Sequence, residues 1–269
     1  MKLVDTHCHI QSAGLDSGER TTRQLWAKNP DLSGDALVER AAEAGVTRLI
    51  CVGCDLEDSR LAVAFAAKHD GCWASIGIHP HEAQHYLGGR KVPDLAALAM
   101  EPKVVAIGEC GLDYYYQHSP KADQVKVLEF QIELALAADL PLIFHVREAF
   151  DDFWPVFDAY KGLRGVLHSY TDSADNLRKG LDRGLYIGVN GIATFAKKPD
   201  QLAVYKSVPV DRLVLETDAP FLAPHPHRGS LNEPKLLVEV AGFLATLRGE
   251  DQAGLATTTT ANARKLFGI

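Results

Sequence analysis

Eight short runs rich in Val, Ile and Leu recur along this 269-residue chain, separated by longer stretches with helical spacing. They fall near residues 2 to 7, 47 to 53, 72 to 78, 104 to 109, 141 to 145, 164 to 168, 185 to 190 and 212 to 217. Near-continuous apolar runs of this length, bounded by turn residues, read as parallel strands buried on both faces. Parallel neighbours need a crossover between them. The clearest crossover runs from about Pro120 to Asp139, where Val125, Leu128, Ile132 and Leu136 recur at helical spacing. Eight such units predict an α/β fold of the (β/α)8 TIM-barrel type rather than an open sheet. No GxGxxG follows the first run, which argues against a dinucleotide fold. The TTTT run before ANARKLF predicts an appended C-terminal helix with Thr260 as its N-cap.

The length and a hydrophobic content of 46% suffice for one large core, so a single domain over residues 1–269 is expected. MKLVDTHCHI does not read as a secretory leader, and no run reaches the roughly 18 apolar residues of a membrane span. The expectation is a soluble, cytoplasmic monomer with no membrane contact and no obligate protein partner. Five cysteines, an odd number, argue against a disulfide scaffold. Cys51 and Cys54 form CVGC, but no second pair completes a zinc site; Cys51 reads as core and Cys54 as loop. Cys8 alternates with His7 and His9 along its strand and should face the other side. A net charge of -7 disfavours sequence-independent coating of nucleic acid. It leaves a nuclease open, because two divalent cations would place positive charge where a phosphodiester must sit, with Arg147, Lys197, Lys198 and Arg228 as a basic rim.

The ends of the apolar runs carry the chemistry. His7 and His9 are two apart on a strand, so both imidazoles project from one face and can grip one ion. Glu109 follows VVAIG at the expected end of the fourth strand, where a carboxylate could bridge two cations. Burying a carboxylate after so apolar a run demands a strong partner. His145 and His168 end the runs LPLIFH and LRGVLH and supply nitrogen ligands, while Asp218 ends RLVLETD, suited to ligate a metal and to take a proton from water. Glu216, two residues earlier, reads equally as a further metal-site group or as half of a buried ion pair. His79 in IGIHPHE is better placed to hold a substrate phosphate than to complete the metal shell, and His81 to face solvent. Arg147, two residues past His145, has the rigid fork that suits phosphate, as has Arg228 in HPHRGSLNEP. The polar stretch from Gln11 to Ser33 is a candidate lid or substrate-contact loop.

Taken in order, the strings DTHCHI (5–10), GIHPHEA (77–83), IGECGLDYY (107–115), HVREAFDD (145–152), HSYTDS (168–173), GVNGIATF (188–195) and ETDAPFLAP followed by HRGSLNEP (216–234) resemble the TatD family of metal-dependent hydrolases over nearly the whole chain. The resemblance implies a TIM-type barrel, a binuclear divalent-metal centre and hydrolysis of phosphodiesters in DNA, with 3′ to 5′ exonuclease or broader DNase activity. It implies that His7, His9, Glu109 and Asp218 hold one ion and that Glu109, His145 and His168 hold the other, with His79 and Arg147 contacting substrate. Asp218 would be the base and Glu109 the shared carboxylate. The first βα loop is longer here than in that pattern, which bears on whether polymeric DNA, nucleotide 3′ ends or something smaller enters. Stacking of an unpaired base on Tyr114, Tyr115 or Trp26 is a further expectation.

Two other readings use the same residues. One is an amide or ester hydrolase of the same barrel type, such as an amidohydrolase or an aminoacyl-tRNA deacylase; against the former stands Glu109, where many binuclear amidohydrolases carry a carboxylated lysine. The other is a non-enzymatic metal-binding protein. For the metal, imidazoles suit zinc, nickel, manganese or iron, whereas carboxylates with substrate phosphate can recruit magnesium or manganese.

Overall fold

The computed structural model describes residues 2–15, 20–86 and 92–269. Along the chain run β1 (Leu3–Cys8), α1 (Thr21–Trp26), α2 (Gly34–Glu43), β2 (Val46–Val52), α3 (Leu56–Ala66), β3 (Cys72–Ile76), α4 (Val92–Leu98), β4 (Val104–Asp113), α5 (Lys121–Ala138), β5 (Leu142–Arg147) and α6 (Phe150–Asp158). There follow β6 (Gly165–Leu167), α7 (Ala174–Asp182), β7 (Tyr186–Val189), α8 (Pro199–Ser207), β8 (Leu213–Leu215), α9 (Leu237–Arg248) and α10 (Gln252–Phe267). Each expected apolar run is a strand, and strand order follows chain order. Among the described residues no helix is long and apolar enough to cross a membrane. The chain divides into two compact units, Met1–Cys51 with Ser169–Lys265, and Val52–His168 with Leu266–Ile269.

In the first unit β1 pairs in parallel with β2, and β7 with β8. All six residues of β1 are buried, Asp5, Thr6 and His7 among them. A carboxylate at such a place needs donors. Asp5 has three, the backbone N–H of His7 at 3.2 Å and of Thr217 at 2.9 Å, and the Thr217 hydroxyl. Burial nevertheless dominates and pushes the Asp5 carboxyl up to about 7. The bond to Thr217 fastens β1 to the segment that carries Asp218. Cys8 turns the other way, its thiol donating to the Ile50 carbonyl, as strand alternation requires.

Two expectations change here. The C-terminal helix begins at Gln252, so the threonine run lies inside it and Thr260 is no cap. Asp251 accepts from the Gly254 N–H at the helix start, and the hydroxyls of Thr257, Thr258 and Thr259 bond back to carbonyls four residues earlier, which satisfies them within a helix. Trp26, at the end of α1 within the stretch from Gln11 to Ser33, is not open for stacking either: it is buried with its indole N–H on the His9 carbonyl at 2.9 Å. Residues 16–19 of that stretch lie outside the described residues.

In the second unit β3, β4, β5 and β6 pair in parallel in that order. β4 is buried along all ten residues and runs four residues past Glu109, further than its apolar run predicts. The extension depends on glycine. The register with β5 shifts between Ile107 and Cys110, and Gly108 and Gly111 take φ of +149° and +146°, where a β-carbon on Gly111 would overlap the His145 carbonyl. From α5, the fully buried amides of Gln131 and Gln124 each bond both ways to a backbone, Gln131 to Ile78 and Gln124 to Asp113. These pairs fix the chain after β3 and the end of β4, from which His79 and Asp113 project.

Candidate metal centre

Each unit holds its own set of converging donors. In the first, His7, His9 and Asp218 offer ligand atoms within 4.8 Å of one another. His7 Nε2 and His9 Nε2 are 3.2 Å apart, and Asp218 Oδ1 lies 3.7 Å and 3.3 Å from them. Two ligands bound at about 2.1 Å to one ion, at tetrahedral or octahedral angles, stand about 3.0 to 3.4 Å apart. The His7–His9 and His9–Asp218 separations fall in that range and the His7–Asp218 separation lies a few tenths of an ångström beyond it, close enough for the three to take one divalent cation with a small adjustment. The backbone sets the geometry: the Asp218 N–H donates to the His7 carbonyl at 2.8 Å and the His9 N–H to the Ala219 carbonyl at 2.7 Å. Asp218 takes φ of +61°, a conformation that Asp tolerates better than most residues and that these bonds hold in place.

Glu216 is buried, accepts from the Ser169 N–H at 2.6 Å, and packs on Gly188, where any β-carbon would strike its carboxylate. Arg228 is solvent-exposed, its guanidinium 5.3 Å from the Phe195 ring centroid, and Lys197 and Lys198 are exposed.

In the second unit the centre is Glu109, 4% exposed, whose Oε1 lies 2.9 Å from His145 Nδ1, 3.7 Å from His79 Nε2 and 3.8 Å from His168 Nε2. A carboxylate ringed by imidazoles is a donor set for zinc-like or manganese-like ions. Cys54, in the loop after β2, stands 4.0 Å from Glu109 Oε2.

His145 is held at both nitrogens, with Nε2 3.0 Å from Asp113 Oδ2. Burial alone would lower its pKa, but the bonds to Asp113 and Glu109 outweigh it and raise the imidazole to about 9. A cation taking Nδ1 would leave Nε2–H on Asp113, the carboxylate–histidine arrangement that orients a ligand.

His79 differs. Its Nδ1 accepts from the His81 N–H at 3.2 Å, so a neutral ring carries its proton on Nε2, toward Glu109. Burial holds His79 well below the ordinary histidine range, which keeps it neutral. That ring is a hydrogen-bond donor among the metal donors, closer to them than a role confined to substrate would suggest.

Asp113 has no role in the motif-based expectation. Fully buried, it accepts from His145 and His81 at Oδ2, each at 3.0 Å, and from the N–H of Tyr115 and Tyr116 at Oδ1. Burial pushes its pKa up, yet the bonds from His145, His81 and Tyr116 prevail and hold it far below the usual carboxylate range. His81 thus faces a carboxylate, not open solvent. Of the aromatics proposed for stacking, Tyr114 is buried with its hydroxyl on Asp152, while Tyr115 is 53% exposed beside Tyr116 at 51%.

Residues 4–268 match the family model described as TatD related DNase. The chain is 40% identical over 245 residues to the 3'-5' ssDNA/RNA exonuclease TatD of Cronobacter sakazakii, covering 88% of this chain and 92% of that one. It is 36% identical to the uncharacterized metal-dependent hydrolase YabD of Bacillus subtilis, over 99% of each. Among solved structures, YJJV, a TatD homolog from Escherichia coli, aligns with a TM-score of 0.86 at 26% identity, covering 99% of this chain and 98% of that one. The fold is accordingly the (β/α)8 barrel with an added C-terminal helix. The chain belongs to the family of TatD-related DNases.

Proposed function

We propose that this protein is a divalent-metal-dependent phosphodiester hydrolase that removes nucleotides from the 3′ ends of single-stranded DNA or RNA. The observations that carry the reading are two groups of donors, one for each cation: His7, His9 and Asp218, whose ligand atoms lie within 4.8 Å of one another, and Glu109, whose Oε1 is 2.9 Å from His145 and 3.8 Å from His168. The related exonuclease of Cronobacter sakazakii supports the choice of substrate and polarity. Divalent ions, when bound, lower the pKa of water and neutralise charge on a phosphate.

The chain's own groups do the rest. Asp218, the most exposed donor of its set at 15%, accepts the proton that the attacking water gives up. The neutral His79 donates Nε2–H to a phosphate oxygen. Arg147, at the exposed end of β5, pairs with a phosphate. Asp113 keeps the His145 ring turned so that Nδ1 faces Glu109. Magnesium, manganese, zinc and nickel are the candidate ions. All five cysteines are free thiols, which suits a reducing cytoplasm.

The test is nucleotide release from 3′ and 5′ end-labelled single- and double-stranded oligonucleotides, by metal-stripped protein with Mg²⁺, Mn²⁺ or Zn²⁺ restored. Metal-dependent shortening from the 3′ end, reduced at least about 1,000-fold in Asp218→Asn, is expected. Intact strands under every metal, with ions bound, would overturn the nuclease reading and favour a smaller phosphoester or an aminoacyl ester.

A further inference from the structure

Beyond β4 the chain turns sharply and leaves two tyrosines in solvent. Tyr115 and Tyr116 are 53% and 51% exposed, their rings edge to face with centroids 4.8 Å apart. The Arg147 guanidinium lies over both, 4.2 Å from one centroid and 4.8 Å from the other. Among the described residues Arg147 has no salt-bridge partner. His118, also exposed, lies nearly parallel to Tyr116, at 5.8 Å and an interplanar angle of 10°. Half-exposed aromatic rings beneath a guanidinium that has no salt-bridge partner are the makings of a stacking platform for a base with its phosphate.

The platform is held rigidly. Asp113 Oδ1 accepts from the N–H groups of both tyrosines at 3.0 Å and 2.9 Å, and the Gln117 amide caps the turn by donating to the Tyr114 carbonyl. The other oxygen of the same carboxylate bonds His145 and His81. Asp113 and Arg147 are also register partners across β4 and β5, two residues beyond the pairing of Gly111 with His145. One buried carboxylate therefore fixes both a metal donor and the aromatic surface beside it.

We propose that Tyr115 and Tyr116, with Arg147 over them, stack an unpaired nucleobase of the nucleotide next to the phosphate that a cation on Glu109 and His145 would hold. The inference rests on the nuclease reading and adds to it a requirement for a base. Because every base has a π face, the platform selects single strands over duplex without selecting sequence.

The experiment measures steady-state kinetics of the metal-loaded protein on an end-labelled single-stranded oligothymidylate, and on the same strand with abasic residues at its last two 3′ positions. For the wild type, the abasic strand is expected to raise KM roughly 10- to 100-fold with little change in kcat. Tyr115→Ala/Tyr116→Ala should raise KM by a similar factor on the normal strand and add nothing on the abasic one, while Tyr115→Phe/Tyr116→Phe keeps the wild-type KM. Equal KM for both strands with the wild type would overturn the platform and leave the nuclease reading standing, however the variants fold. Cleavage of neither strand would overturn both.

Discussion

His145 Nε2 lies 3.0 Å from Asp113 Oδ2, and that pairing decides which ring nitrogen is left to meet a cation. With Nδ1 2.9 Å from Glu109, the metal-free ring sits between two carboxylates as an imidazolium. Metal binding must then displace a proton, because a ligand nitrogen has to be deprotonated. At pH 7.5, calorimetric titration of metal into stripped protein, in buffers of different ionisation enthalpy, should show about one proton released at the Glu109 donors. The release should fade as pH passes about 9, the raised His145 value. His79, already neutral, contributes none. In stability terms the raised pKa favours the metal-free fold fully below the ordinary histidine value, and that contribution is lost as pH rises through about 9. Absence of proton release at pH 7.5 would contradict the charged ring.

Removing the carboxylate tests its orienting role separately. Asp113→Asn should weaken cation binding at the second set of donors by roughly 10- to 100-fold, as loss of a partner behind a ligand histidine does. The His7, His9 and Asp218 set should keep its affinity. A uniform loss at both sites in the titration would point to general damage instead.

Gly111 and Gly162 both take positive φ, at +146° and +79°, but only the former is crowded. Gly162→Ala meets open space and should cost about 1 kcal/mol, from backbone strain alone. Gly111→Ala drives a β-carbon into the His145 carbonyl and should cost more than about 3 kcal/mol in urea unfolding, or abolish folding. Equal costs for the two would show that the approach of β4 to β5 is not what selects glycine.

Cys8, Cys51, Cys72 and Cys110 are buried and Cys54 is partly open. Burial also pushes the Cys110 thiol far above its usual range. Native protein should therefore give one fast-reacting thiol with a chromogenic disulfide and all five after denaturation. Protection of that thiol by added metal is expected, since Cys54 lies 4.0 Å from Glu109.

Strand positions were legible because most residues of each strand are apolar and buried, and the donors were legible because a charged or imidazole side chain closing such a run has few other reasons to be there. What escaped was polar groups whose hydrogen-bond partners the local pattern does not announce. Asp113 lies past the point where the apolar run stops, on a strand prolonged by a glycine bulge that periodicity does not register. Trp26 looked like a loop aromatic until its indole met the His9 carbonyl. The four threonines read as a cap because threonine favours caps, yet three bond back to their own helix and Thr260 reaches the Lys2 carbonyl. Their partners lie elsewhere in space or one turn back, where local pattern carries no trace of them.

The two backbone bonds that join His7 to Asp218 and His9 to Ala219 act as a ruler between chain segments more than two hundred positions apart. Their spacing makes the first donor set intolerant of any change in count: one residue inserted between His7 and His9, or between Asp218 and Ala219, would put the rungs out of step. Connecting loops can lengthen or shorten over generations and leave that ladder intact. Drift in length is therefore free in those loops and forbidden between the rungs.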